Sequence, residues 1–174
     1  RQMCIRDSAV SAASAASLLG IELETISSAL AGFQGVKRRM EILASHEDYV
    51  IYDDFAHHPT EIFKTLASLR EKIGNDQIIA LIEPRSRTMK SGLHDKEMAK
   101  ALSPADSVIW YEGQDVKRSM SAELKKAKAE VYFAANISEI IQITRQIKTT
   151  KSNIVIMSNG DFLGLREIIK RELD

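Results

Sequence analysis

The sequence predicts an α/β fold: a mostly parallel sheet covered by helices on both faces, preceded by a short helical segment. Three observations carry that expectation. Apolar runs and amphipathic stretches alternate along residues 36–174 in the order strand, helix, strand, helix. The strand segments are apolar throughout, as strands buried on both faces are, and do not alternate with polar residues. The first long amphipathic stretch opens beside Pro59 and stops at Gly74, the start and stop signals of a helix.

Residues 1–8, "RQMCIRDS", show no helical or strand periodicity and read as a non-native scar, set aside from the fold; on that reading the chain is truncated. Ala9 to Leu19 is small and apolar, suited to a tightly packed helix. After Gly20, "IELETISSALAGF" continues as an amphipathic helix with Ile21, Ile26, Leu30 and Phe33 inward. The character changes after "GFQG", which places a domain boundary near Gly35, between residues 9–35 and 36–174. Arg39–Leu43 and Tyr49–Tyr52 then form a hairpin around the polar turn "SHED". "TEIFKTLASLREKIG" is a helix, "QIIALIEP" a buried strand, "DKEMAKALS" a helix and "SVIWY" a strand. "SAELKKAKA", "EVYFA", "ISEIIQITRQIK" and "NIVIMSN" continue the alternation, and "DFLGLREIIKREL" closes it as one helix. Trp110 and Tyr111 bury against the sheet, and the scattered methionines mark only packing.

Composition limits the function classes. The chain has 174 residues, enough for one ordinary domain and part of another. Lys+Arg and Asp+Glu are equal at 24 each, so no global field recruits nucleic acid or an anionic membrane, and a small-molecule partner held by local groups is expected. The single cysteine, Cys4, excludes an intrachain disulfide framework. No apolar run reaches the roughly 18 residues a membrane span requires, and a reducing, cytoplasmic setting fits best.

Ligands of parallel sheets sit outside the carboxyl ends of the strands, and three of those ends are chemically loaded. "DDFAHHP" follows the first parallel strand, "EPRSRTMKSG" the second and "MSNGDFLG" the last. Together they offer cations for phosphate or carboxylate, carboxylates for ribose hydroxyls, and glycine for close backbone approach. Each has a plainer reading. Asp53 and Asp54 are also favoured helix caps, and "KRR" at 37–39 also suits a solvated face. "SNG" also suits a strand-to-helix turn. No further His or Cys stands at metal-ligand spacing beside the His57–His58 pair, since His46 and His94 lie in separate loops, so no metal site is assigned. Three cations, Arg85, Arg87 and Lys90, in one loop repel each other unless an anion is present, which favours function there. The sequence contains neither a G-x-x-x-x-G-K-[ST] loop nor a G-x-G-x-x-G after a strand, so this chain alone cannot cradle a triphosphate.

In this order and spacing, "VKRRMEIL", "YDDFAHHPTEI", "IEPRSRTMKSG" and "MSNGDFLG" resemble the C-terminal, Rossmann-like domain of the Mur ligases, ATP-dependent amide-bond-forming enzymes of peptidoglycan metabolism. "EPRS" followed by "TMK" is most similar to the members that join the tripeptide L-alanyl-γ-D-glutamyl-meso-diaminopimelate to UDP-N-acetylmuramate in cell-wall recycling. Members adding L-alanine are the alternative, and a stand-alone nucleotide- or peptide-binding module is another. The resemblance implies that residues 9–35 are the tail of the central ATP-binding domain, and that ATP and Mg2+ are the cofactors. It places the P-loop, the magnesium ligands and a complete catalytic set upstream of this chain. It further implies that Arg39, Asp54 and His57 contact ATP, with Arg39 the hinge arginine, Asp54 on the ribose and His57 near the phosphates. Arg85, with Ser86, Thr88 and Lys90, would bind tripeptide carboxylates, and Ser158, Asn159 and Gly160 would face the same peptide. Asp161 and Leu163 depart from the family's glycine-rich "SNGGFGG".

Overall fold

Among the described residues, β1 (Arg39–Ser45), β2 (Tyr49–Asp54), β3 (Gln77–Ile82), β4 (Ser107–Tyr111), β5 (Glu130–Ala134) and β6 (Ser152–Met157) form one sheet in the order β1-β2-β6-β3-β4-β5. The structure, a computed structural model, describes residues 2–33, 35–85, 89, 94–113 and 121–173, the side chains of 2–6, 95 and 121 excepted. The chain divides into two compact units, Arg1–Val36 and Lys37–Asp174.

The first unit holds α1 (Gln2–Leu18) and α2 (Leu23–Ala31). Here two expectations are corrected. Residues 2–8 lie within α1, because a run without glycine or proline lets an adjoining Ala-rich helix propagate at little cost. Of the four side chains expected inward, Ile26 is buried, but Ile21, Leu30 and Phe33 are exposed. Two short helices have too little surface to enclose them.

The second unit is built on β1 (Arg39–Ser45), β2 (Tyr49–Asp54), α3 (Pro59–Ile73), β3 (Gln77–Ile82), α4 (Asp95–Ala101), β4 (Ser107–Tyr111), α5 (Ser121–Leu124), β5 (Glu130–Ala134), α6 (Ile137–Ile147), β6 (Ser152–Met157) and α7 (Leu165–Leu173). β1 pairs antiparallel with β2, and every other pairing is parallel. The apolar runs divide by alternation. Ile78, Ala80 and Ile82 of β3 join Ile62, Leu66 and Leu69 of α3 on one face. Ile79 and Leu81 join Ile140 of α6 and Leu165, Ile169 and Leu173 of α7 on the other. Burial on both faces makes these strands apolar throughout, and Trp110 is buried among them.

Three boundaries differ from expectation. β2 runs to Asp54, so the two aspartates pair with Ile156 and Met157 inside the sheet. α5 has four residues, and residues 126 and 127 follow in tight turns bonded three residues back, which bring the chain round to β5. The closing helix is broken: Phe162–Gly164 form a 3-10 turn in which Phe162 (φ 53°), Leu163 (φ 51°) and Gly164 (φ 72°) are all left-handed. Phe162 thereby reaches the core, its ring 5.5 Å from that of Tyr111.

Candidate functional site

Parallel pairing brings the carboxyl ends of β2, β6 and β3 side by side, and with them the three loaded segments. Asp53 and Asp54 are adjacent on β2, so their side chains leave opposite faces of the sheet. Asp54 is buried, and its carboxylate accepts Met40 N–H (2.9 Å), Ala56 N–H (2.9 Å) and Thr65 Oγ1 (3.4 Å). It ties β1, the loop after β2 and α3 together. A ribose hydroxyl would have to share oxygens already accepting backbone donors. Neither aspartate caps α3; that role falls to His58, whose Nδ1 accepts Thr60 N–H at 3.3 Å.

Arg39 sits between two left-handed residues, Arg38 (φ 58°) and Met40 (φ 54°), where the β1–β2 register slips. Bulges of this kind re-aim a side chain. Arg39 is exposed, its guanidinium 5.8 Å from the Phe55 ring. Glu41 secures the strained turn by accepting Arg38 N–H at 2.8 Å. His57 lies edge-on to Phe55 at 5.4 Å, with Nδ1 3.0 Å from Phe55 O. A carbonyl only accepts, so Nδ1 is the donor in this contact, and Glu61 Oε2 stands 3.6 Å from the same nitrogen. The His94 ring, expected in a separate loop, meets the His58 ring at 4.5 Å. Even so, among the described residues no group of three His, Cys, Asp or Glu could hold a metal ion, so no Mg2+ step is assigned to this chain.

Arg85 follows β3 and is exposed, with its backbone N–H on Glu83 O at 2.9 Å. Its guanidinium rests on Gly160: a Cβ there would come within 2.7 Å of Arg85 Cζ. The ends of β3 and β6 thus meet where glycine lets the Arg85 side chain lie directly on the backbone, and a larger residue would displace that side chain. Ser158, expected to face the peptide, is fully buried; its Oγ donates to Glu83 and accepts Gly160 N–H at 2.9 Å. It shapes the turn and presents no hydroxyl. Asn159 is half-buried. Ser86, Thr88 and Lys90 lie outside the described residues.

Sequence reasoning missed the groups that hold this arrangement. Arg38, Arg166 and Glu83 are as central as the residues it named, yet Arg38 reaches Ser158, Glu83 reaches Ser158 and Arg166 reaches Asp53 across 120, 75 and 113 positions, pairings that only the topology reveals. Elsewhere, burial raises the Tyr52 phenol above its ordinary 10.0. Tyr132 is raised too, by desolvation first and then by the hydrogen bond and charge of Glu130.

A mostly parallel sheet covered by helices on both faces, with cations at its strand ends, has the architecture of the Rossmann-like α/β class. Residues 38–160 match the family described as Mur ligase, glutamate ligase domain, and the chain belongs to that family. A UDP-N-acetylmuramate–L-alanyl-γ-D-glutamyl-meso-2,6-diaminoheptandioate ligase of Haemophilus influenzae is 34% identical over 166 residues, covering 95% of this chain and 37% of that protein. A UDP-N-acetylmuramate–L-alanine ligase of Streptococcus agalactiae is 42% identical over 150 residues, covering 83% of this chain and 33% of that one. The crystal structure of a murein peptide ligase from Psychrobacter arcticus superposes with a TM-score of 0.75 at 34% identity, covering 95% of this chain and 36% of that chain. The chain therefore spans little more than a third of the length of these relatives.

Proposed function

We propose that this chain is the C-terminal domain of an ATP-dependent ligase that attaches L-alanyl-γ-D-glutamyl-meso-diaminopimelate to UDP-N-acetylmuramate in peptidoglycan recycling. Its task is to present the peptide. The observation that carries the reading is Arg85 resting on Gly160 at the mouth between β3 and β6. A guanidinium held there can bind a carboxylate through two parallel hydrogen bonds, and the tripeptide carries several carboxylates. Similarity over 95% of the chain to a relative named for this tripeptide supports the same reading.

In the proposed reaction the muramoyl carboxylate attacks the γ-phosphorus of ATP, ADP leaves and an acyl phosphate forms. The peptide amine then attacks the acyl carbon, and phosphate and a proton leave as the amide forms. Positioning and charge neutralisation do most of this work. On the nucleotide side we assign Arg39, the exposed cation of the bulge, with His57 beside it and Asp54 fixing the loop that carries both. On the peptide side we assign Arg85, Asn159 and Gly160, with Ser158 shaping their turn and Ser86, Thr88 and Lys90 as further polar groups. The triphosphate loop and Mg2+ ligands belong, on this reading, to upstream domains, and the setting is the bacterial cytoplasm. Among the described residues no helix is long and apolar enough to cross a membrane.

The 42% identity to the Streptococcus agalactiae relative favours a second reading, an L-alanine-adding ligase. Calorimetric titration of the chain with tripeptide and with L-alanine separates the two. The tripeptide is expected to bind at least tenfold more tightly. L-alanine bound as tightly as the tripeptide, or more so, replaces the first reading by the second.

A further inference from the structure

Two arginines from opposite ends of the second unit converge on one carboxylate and one loop. Asp53 is 1% exposed. Its Oδ2 accepts Arg166 Nε at 2.8 Å and lies 3.4 Å from Arg38 Nε, an ion pair without hydrogen-bond alignment. One further nitrogen of each guanidinium holds backbone carbonyls. Arg38 Nη2 donates to Ser158 O (2.5 Å) and Gly160 O (2.8 Å), and Arg166 Nη1 to Gly160 O (3.1 Å) and Asp161 O (2.7 Å). Three carbonyls in four residues are held from outside the loop, and Gly160 O is held twice.

This arrangement is costly as mere packing. It takes the Asp53 carboxylate out of water against two arginines whose side chains stay 30% and 14% exposed, and desolvating a charge is costly unless its pairing is complete. It also leaves Arg38 Nε, Arg166 Nη2, Asp53 Oδ1 and Asn159 Oδ1 as the buried side-chain polar atoms without a partner among the described residues. Groups optimised only for their own pairing are not left so. What the arrangement does fix is geometry: one guanidinium nitrogen from each arginine bridges two carbonyls of the loop and so determines where Gly160 sits, and Gly160 is the surface on which the Arg85 guanidinium lies.

We propose that Asp53, Arg38 and Arg166 are positioning residues, a clamp that sets the 158–161 loop so that Gly160 supports Arg85 in its ligand-binding pose. The proposal rests on the reading of Arg85 as the peptide-carboxylate ligand, and it extends specificity to residues that touch no substrate. Asp53 then belongs to the peptide side of the crevice, whereas its neighbour Asp54 belongs to the nucleotide side.

The test uses the full chain, isotopically labelled, with NMR signals from the Arg85 Nε–H and the Gly160 amide. Arg166→Met and Asp53→Asn are expected to move both signals, while the amide of Ile109, buried on β4 away from both β2 and β6, and other distant core amides stay in place. Arg145→Met, which removes a surface pair with Glu172, is the control and is expected to move neither. Should Arg166→Met fail to fold, Arg166→Lys keeps the charge beside Asp53 but cannot reach two carbonyls, and the same shifts are expected. Tripeptide titration adds a coupling readout: Arg166→Met is expected to weaken binding about tenfold in the wild-type background and less than twofold when Arg85 is already Met. A general loss of structure would act equally in both backgrounds. Unmoved Arg85 and Gly160 signals in a folded variant, or equal losses in both backgrounds, overturn the clamp. Signals that move in the variants, together with a wild-type chain that does not bind tripeptide, uphold the clamp and remove the peptide reading instead.

Discussion

At the scale of single residues, two adjacent aspartates have different tasks because a strand sends neighbours to opposite faces. Asp53 meets the arginines that hold the last-strand loop; Asp54 meets the backbone of β1 and the loop leading to α3. Asp54 is therefore structural as well as a candidate for the nucleotide site. Removing it leaves two buried N–H groups without their charged acceptor, so Asp54→Ala is expected to lower the unfolding free energy by about 3 kcal/mol. Urea denaturation followed by circular dichroism measures this. A loss below about 1 kcal/mol would show that the carboxylate is free for a ligand and that its backbone bonds are dispensable.

At the scale of elements, most of the second unit was legible in the sequence, for a physical reason. Strands buried on both faces must be apolar without interruption, and a helix between Pro59 and Gly74 carries its own start and stop signals. What was not legible depended on distant partners. The extension of β2 through Asp53 and Asp54 breaks the apolar rule, and it is tolerated because Arg166, 113 residues away, and the backbone around Asp54 neutralise the two carboxylates. The candidate site was legible as three loaded strand ends. The burial of Ser158 and the clamp on its loop were not, since neither leaves a local pattern.

The closing helix shows the same limit. "DFLGLREIIKREL" has helical spacing throughout, but burying Phe162 forces a left-handed turn first. The two departures from the family's glycine-rich segment fare differently there. Asp161 acts as a cap, accepting Gly164 N–H at 2.9 Å. Leu163 is exposed and left-handed, a conformation that costs an L residue about 1–2 kcal/mol. Glycine avoids that strain but gives back about 0.4–1 kcal/mol through the freedom of the unfolded chain. Leu163→Gly is accordingly expected to raise stability by about 0.5 kcal/mol in thermal or urea unfolding, and a clear loss would show that the leucine side chain has a supporting role.

At the scale of the whole molecule, the two units differ in what they can do alone. The second has helices on both faces of its sheet and two apolar clusters. In the first, Val10, Leu18, Leu19, Leu23 and Phe33 are exposed, and large apolar side chains left in water favour association where they adjoin. Deleting residues 1–36 is expected to reduce binding of a hydrophobic dye and self-association, and to leave the unfolding midpoint of residues 37–174 in place. Cooperative loss of that midpoint would mean that the second unit does not fold by its own core.

Peptide presentation by this domain turns on one guanidinium holding a carboxylate. The most direct measurement follows the Arg85 Nε–H signal of the labelled chain as tripeptide is added, with L-alanine as the comparison. A saturable shift of Arg85 together with the Gly160 amide, larger for tripeptide than for L-alanine and retained when Arg39 is replaced by methionine, is the predicted result. A tripeptide that shifts other residues while the Arg85 signal stays still would contradict the assignment of this strand-end mouth as the peptide site.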